Sequence, residues 1–265
     1  MILRWMMFVF ATAALSACAQ TGVYRAGSRN LYIHCEGVRH GAAVVLEAGA
    51  WRDSTDWSKV QPEVARFTQV CSYDREGLGK SKVDGVSNPD AVGLDEGVEE
   101  LHLLLLSAGV KPPYILMGHS AGGIKVRRYA RDHPAEVVGM VLVDSAHEEQ
   151  EWRFKAIDPS SVQIPEQVRE NARRAGLPTE PGERLVWHDD IPLIVLEHGI
   201  PFHFEGNMAK HAAEFEATMH EMQLDLASRS SKGELRTAKK SGHDIMLDEP
   251  EFVTTAIRDV WNAAR

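Results

Sequence analysis

The chain has 265 residues, of which 44% are hydrophobic and 25% are charged, and its formal net charge is −9 at pH 7. This length suits one large domain with a single core, and a second domain is not required. The negative charge is spread along the chain rather than gathered in blocks. A nucleic-acid-binding protein would need a basic surface, so we expect no nucleic-acid partner.

The first 17 residues have the composition of a secretory signal peptide, which leaves 18–265 as the mature protein. Arg4 is their only charge, and residues 5–15 form an apolar run too short to span a bilayer. The Leu-Ser-Ala-Cys sequence that ends at Cys18 resembles the bacterial lipobox, in which the cysteine is lipidated. That resemblance implies an envelope lipoprotein held at a membrane surface through Cys18. Ordinary cleavage after Ala17 or Ala19 would instead give a secreted protein.

The remaining chain alternates between strand and helix patterns. Residues 23–37 alternate in polarity around a Gly-Ser turn, which predicts a β-hairpin. Residues 43–47 form a continuous apolar strand, as in a sheet that is buried on both faces. The same patterns predict further strands at 69–74, 114–117, 137–143, 192–196 and 235–239, and helices at 57–67, 94–108, 124–132, 207–228 and 250–262.

A Gly-x-Ser-x-Gly pentapeptide at 118–122 follows an apolar strand and precedes a helical pattern. A serine at the tip of such a turn must adopt a strained backbone conformation that exposes its hydroxyl. Gly118 and Gly122 are required because a Cβ there would collide with the neighbouring strand or helix. The helix N-terminus also brings free N–H groups beside the hydroxyl. Ser120 is therefore a candidate nucleophile, with an ordinary tight turn as the alternative.

This pentapeptide in its strand–helix setting resembles the nucleophile elbow of the α/β-hydrolase family. A second similarity is the Tyr-Asp-Arg-x-Gly-x-Gly-x-Ser run at 73–81, whose role in that family is structural. The likeness extends over about residues 30–261. It implies an α/β fold with a mostly parallel eight-stranded sheet flanked by helices. The polar, proline-containing segment at 148–190 then corresponds to a small cap insertion over the active site, within the same domain.

The resemblance also implies a catalytic triad, because a serine hydroxyl needs a positioned base and the base needs an orienting acid. His243 is the candidate base, since it follows the last predicted strand and precedes the last helix. The usual position of the acid holds no carboxylate, because Phe202 stands there. A family variant places the acid after the strand that ends at Val143, which is where Asp144 lies. Glu197 and then Glu205 are the alternatives.

The resemblance assigns the oxyanion hole to two backbone N–H groups, those of Ala50 and Ala121. Two fixed donors of this kind stabilise the negative charge of the tetrahedral intermediate. Trp51, next to the first donor, and Trp152, in the cap, are candidate substrate-binding residues. For Trp51 the alternative is plain packing.

The strand order of the family places Cys35 and Cys71 on neighbouring strands. A disulfide between them is therefore plausible in an exported protein, and two buried thiols are the alternative. His198 and His203 with Glu205 have no metal-ligand spacing, so we interpret these histidines as loop residues and expect no metal. No cofactor is implied.

Taken together, the residues and the resemblance predict a serine hydrolase that cleaves small-molecule carboxylic esters through an acyl-enzyme. Amidase, lactonase or peptidase chemistry would use the same triad, because the fold does not determine the substrate. A non-catalytic ligand-binding protein is the alternative from another class.

Overall fold

The computed structural model describes residues 20–81, 94–161, 166, 169–170, 173, 178–180, 182–187 and 190–265. The predicted signal peptide and Cys18 lie outside the described residues, as does part of the predicted cap insertion. Among the residues that are described, no helix is long and apolar enough to cross a membrane.

One eight-stranded sheet organises the domain, in the spatial order β1-β2-β4-β3-β5-β6-β7-β8. Only the β1–β2 and β2–β4 pairs are antiparallel, so the sheet is mostly parallel, as expected. The carboxyl ends of β3 to β8 therefore meet along one edge, where ligands bind in open α/β sheets. The strands are β1 Gly22–Ala26, β2 Arg29–Glu36, β3 Ala43–Glu47, β4 Val70–Tyr73, β5 Tyr114–His119, β6 Val137–Val143, β7 Leu193–His198 and β8 Gly233–Ala238.

Helices cover both faces of this sheet, and each face buries an apolar cluster. Leu101 and Val126, from two helices, pack on one face, whereas Val253 and Ile257 from the last helix pack on the other. The strands between them are apolar on both sides for this reason. The described α-helices are α1 Gln61–Val64, α2 Leu94–Ser107, α3 Ala121–Asp132, α4 Gln150–Ile157, α5 Ala212–Ser228, α6 Ile245–Asp248 and α7 Pro250–Ala263.

The predicted helix at 57–67 is wrong. The structure has a 3₁₀ turn over Ser54–Trp57 and then only the four-residue α1. Pro62 lies in the first turn of α1, and proline lacks the N–H that a continuous helix would need at that position. The indole of Trp57 is fully buried at this break. Burial of that side chain therefore prevails over a regular helix.

Cys35 of β2 and Cys71 of β4 lie directly opposite each other in the antiparallel register and are joined by a disulfide. Their Cα atoms are 4.1 Å apart. The bond ties the antiparallel edge of the sheet to its parallel centre.

The segment predicted to form the cap insertion begins and returns beside one buried ion cluster. Arg127 of α3 donates to Glu148 at 2.6 Å, and Arg229, which follows α5, also pairs with Glu148. Burial would raise the pKa of Glu148, but the two guanidinium groups lower it to about 2. On the returning chain, the Leu185 N–H donates to Glu148 at 3.0 Å, and Trp187 lies near both guanidinium groups. Both ends of the insertion are thus fixed to the sheet domain.

Candidate active site

Ser120 alone separates β5 from α3, and its backbone is strained. Its φ of 52° and ψ of −125° lie in a region that residues with a side chain rarely occupy. A Cβ on Gly118 would lie 2.6 Å from the carbonyl oxygen of Gly122. A Cβ on Gly122 would lie 2.5 Å from the carbonyl oxygen of Ala48. Both glycines are thus needed for the close approach that the sequence predicts, and the turn has the geometry of a nucleophile elbow.

His243 lies in the loop between β8 and α6, and its Nδ1 donates to Asp144 Oδ2 at 2.6 Å. Asp144 directly follows β6, the neighbour of β5 in the sheet. Its own φ of 42° is also in the left-handed region. The carboxylate is buried whereas the imidazole is 35% exposed, so the second ring nitrogen can face a substrate. The sheet therefore brings the three residues of the predicted triad to one edge.

The two alternative acids are bonded elsewhere or exposed. Glu197 accepts hydrogen bonds from His220 at 2.7 Å and from Thr237 at 2.6 Å. Glu205 is exposed in the loop after β7. Neither carboxylate has a described contact with His243, whereas Asp144 does.

A second imidazole contacts Asp144, and the sequence did not reveal its role. The interpretation of His198 as a loop residue is wrong, because His198 is the last residue of β7. Its Nδ1 lies 2.7 Å from Asp144 Oδ1, and its Nε2 lies 3.0 Å from Glu216 Oε2 of α5. The Val143–Leu196 register of the parallel pair β6–β7 explains this proximity, because it places Asp144, which directly follows β6, beside the last residues of β7.

Burial has the largest single effect on the pKa values of Asp144 and His198, but their hydrogen bonds and charges together outweigh it. Burial would raise the pKa of Asp144, but the hydrogen bonds from His198 and His243 lower it to about 2. Burial would lower the pKa of His198, but the hydrogen bonds and charges of Asp144 and Glu216 raise it to about 9. The carboxylate is therefore ionised at neutral pH, and His198 is an imidazolium ion.

Arg75 holds the loop that follows β3. Its guanidinium donates to the carbonyl of Ala48 at 2.8 Å and also to that of Gly49. The buried carboxylate of Glu47 accepts from Arg75 at 2.5 Å and from the hydroxyl of Tyr73. Arg75 thus joins the 73–81 run to the neighbouring loop.

That loop passes close to the elbow. A Cβ on Gly49 would lie 3.3 Å from the Cβ of Ser120. Within the described part of the chain, the N–H groups of Ala50 and Ala121 donate to no oxygen atom. The assignment of the oxyanion hole to these two donors stays a prediction, with Ala121 directly after Ser120 and Ala50 in the loop that approaches it.

The two candidate substrate-binding tryptophans have different environments. Trp51 is 70% exposed, with a φ of 55°, so its indole is not a packing residue of the core. Trp152 lies in α4, where the Arg169 guanidinium is 4.9 Å from its ring centroid. No described contact links Trp152 to the triad residues, so its assignment stays a prediction.

His119 and Arg52 link the elbow to the loop that carries His243. The Nε2 of His119 donates to the backbone carbonyl of His243 at 3.0 Å, and the two rings are 4.5 Å apart. Burial, and then the neighbouring His243, lower the pKa of His119 to about 4, so it is neutral. Arg52 pairs with Asp244 at 3.0 Å. Both contacts fix the base loop against the nucleophile.

His102, His133 and Glu136 bring possible metal-ligand atoms within 4.8 Å of one another, on a different surface. The two imidazole rings are stacked, with centroids 4.0 Å apart and an interplanar angle of 8°. A metal ion lies in the plane of each imidazole that binds it, so two stacked rings cannot share one ion. Glu136 already accepts from the Tyr129 hydroxyl at 2.6 Å. This cluster is thus poorly arranged for a metal.

Comparison with known proteins identifies the family of this chain. A family model described as "Alpha/beta hydrolase family" matches residues 43–256. The chain belongs to the alpha/beta hydrolase family. This α/β-hydrolase is 31% identical to protein YqjL of Bacillus subtilis (strain 168), over 96% of this chain and 92% of YqjL.

Solved structures share the fold of this α/β-hydrolase at lower identity. A thermophilic esterase from Thermogutta terrifontis is 19% identical, with a TM-score of 0.61 over 93% of this chain and 99% of the esterase. The carboxylesterase CesB from Bacillus subtilis is 15% identical, with a TM-score of 0.60 over 92% of this chain and 91% of CesB. The eight-stranded fold expected from the sequence is thereby confirmed.

Proposed function

We propose that this α/β-hydrolase is a serine hydrolase that cleaves carboxylic esters through an acyl-enzyme intermediate. The observation that carries the proposal is the hydrogen bond between Asp144 and His243, made beside a strained serine elbow. A buried carboxylate that holds an imidazole is the arrangement by which serine hydrolases fix the tautomer of their base. The fold shared with an esterase and a carboxylesterase agrees with this chemistry.

In the proposed mechanism, Ser120 Oγ attacks the ester carbonyl while His243 Nε2 removes its proton. Asp144 keeps the proton of His243 on Nδ1, so that Nε2 is free to accept. The N–H groups of Ala50 and Ala121 stabilise the oxyanion. His243 then gives its proton to the leaving alcohol, and the reverse sequence with water releases the acid.

Aromatic side chains near the base favour apolar ester groups. The Phe202 ring centroid is 5.4 Å from that of His243, and Phe204 continues this surface at 6.1 Å from Phe202. Trp51 exposes its indole beside the first oxyanion donor. We therefore expect hydrophobic acyl or alcohol groups to be preferred over charged ones.

A p-nitrophenyl ester series from acetate to palmitate tests the proposal, with the purified protein and its Ser120→Ala variant. We expect turnover that is lost in the variant, with a chain-length optimum that measures the size of the acyl site. Turnover of anilides, lactones or peptides but not of esters would assign the triad to another acyl transfer. Absence of turnover on all of these substrates, with tight ligand binding retained, would instead favour a binding protein.

We also propose that the protein is exported and held at a membrane surface through Cys18. The disulfide between Cys35 and Cys71 supports an oxidising compartment. Metabolic labelling with a fatty-acid analogue tests the anchor, since label should enter the protein and be lost in Cys18→Ala. Release of an unlabelled protein into the soluble fraction would instead indicate ordinary secretion.

A further inference from the structure

The environment of His198 requires a positive charge on its ring. Both of its nitrogens face carboxylate oxygens, Asp144 Oδ1 at 2.7 Å and Glu216 Oε2 at 3.0 Å. A carboxylate accepts hydrogen bonds but does not donate them, and a neutral imidazole donates from one nitrogen only. Both contacts are satisfied at once when His198 carries two protons.

The rest of the site supports this arrangement. The side chain of His198 is 7% exposed and that of Asp144 is 5% exposed, so water screens their charges weakly. The other oxygen of Glu216 accepts the Phe202 N–H at 2.7 Å, and the Phe202 ring contacts His198 edge-on at 4.8 Å. The hydrogen bond from the Phe202 N–H thus helps to hold the Glu216 carboxylate against the His198 ring.

The other charged and titratable groups near this network lie on five neighbouring segments. His243 and Asp244 come from the loop after β8, His119 from the end of β5, and Arg52 from the loop after β3. Glu197 and His220 form a separate pair between β7 and α5. Among the described residues, only Asp144 and Glu216 bond directly to the His198 side chain.

We propose that His198 is a positioning residue, which orients the Asp144 carboxylate toward His243 and whose positive charge sets the pH range of catalysis. This inference rests on the proposed serine hydrolase. Asp144 gives one oxygen to each imidazole, so neither ring can move without disturbing the other. Glu216 balances the extra charge, because His243 also becomes positive during acyl transfer.

The consequence for catalysis is an effect on pH dependence. The positive charge of His198 opposes protonation of His243 through their shared carboxylate, which extends activity to lower pH. Replacement of His198 by a neutral residue should therefore move the acid limb of the kcat/KM profile upward, by about half to one pH unit. A residue that only filled space would lower kcat/KM equally at every pH.

The test compares pH profiles of ester hydrolysis for His198→Asn, His198→Lys and His220→Asn with that of the unaltered protein. The asparagine variant keeps a donor for Asp144 but loses the charge, and its acid limb should move upward. The lysine variant restores a positive charge, so its acid limb should return toward the original position. His220→Asn is the matched control, because His220 lies one helical turn from Glu216 and, within the described part of the chain, pairs only with Glu197. An acid limb that stays in place in His198→Asn would overturn the proposal.

A titration of the histidine ring signals by nuclear magnetic resonance separates this proposal from the proposed function. The titration needs no turnover, so it can be made in Ser120→Ala. There the His198 ring should titrate near pH 9, and a further Glu216→Gln substitution should lower the pKa of His198. A His198 pKa close to the ordinary value for histidine would overturn the inference while the hydrolase proposal stands. Hydrolysis that survives in Ser120→Ala would instead overturn the hydrolase proposal.

Discussion

The Asp144→Asn variant gives the sharpest test of the triad, because two imidazoles compete for the new side chain. An amide of the same shape has one acceptor and one donor end. His198 is a charged donor whose ring is also bound to Glu216, so it takes the carbonyl oxygen. The amide NH₂ group then faces His243 Nδ1, which must accept rather than donate. His243 therefore carries its proton on Nε2 and cannot remove the proton of Ser120.

The expected magnitude follows from this tautomer change. The same substitution in a triad that keeps its geometry lowers kcat about ten-thousand-fold, or about 5.5 kcal/mol of transition-state stabilisation. We expect a loss of this size in steady-state hydrolysis of a p-nitrophenyl ester near pH 7. Denaturant midpoints should show that the variant is folded.

Glu197→Gln is the matched control, because Glu197 was the next candidate acid and its carboxylate is bonded to His220 and Thr237. Its kcat should stay within a few-fold of the original value. A folded Asp144→Asn variant with nearly full activity would refute the reasoning, and loss of activity in Glu197→Gln alone would assign the acid to Glu197.

The disulfide joins residues that are 36 positions apart, and the loop-entropy relation predicts that its loss lowers the free energy of unfolding by about 4 kcal/mol. Urea unfolding of the double variant Cys35→Ser/Cys71→Ser measures this difference. A decrease below about 1 kcal/mol would contradict the prediction. Asp144 and Glu148 both have a pKa of about 2 in the folded state, lower than the ordinary value of about 4. Their stabilisation, about 2–3 kcal/mol each, is therefore present above about pH 4 and is lost as the pH falls toward 2; a urea midpoint that is constant across this range would argue against it. Arg75→Met should lower kcat about ten- to a hundred-fold, because the loop that carries the oxyanion donor loses its anchor; a change in KM alone would point to substrate binding instead.

Most of the fold could be predicted because buried parallel strands have a direct sequence signature. Strand β3 and strand β6 are continuous apolar runs, and the structure gives both the bounds that the sequence indicates. The helix at 57–67 could not be predicted correctly, since burial of Trp57 and the early Pro62 break a pattern that looks helical locally. Local periodicity carries no information about such tertiary contacts.

The site was predictable where one residue stands in a distinctive local context. Ser120 has its glycines, and His243 has its position between the last strand and the last helix. His198 was missed because its role depends on a partner 54 residues away. One signal was available, since His198 ends an apolar strand that lies beside the strand before Asp144 in a parallel sheet, and such ends meet at the same edge.

Because one ion cluster holds both ends of the predicted cap insertion, we expect that this segment can be exchanged as a unit. Glu148 opens the segment, and the chain near Leu185 that closes it bonds to that same carboxylate, which two arginines of the sheet domain hold in place. The residues between these points can therefore be shortened, replaced or grafted from another hydrolase while both junctions keep their geometry. An exchange of this one segment, with Ser120, His243 and Asp144 kept as they are, would test whether it takes part in the choice of substrate.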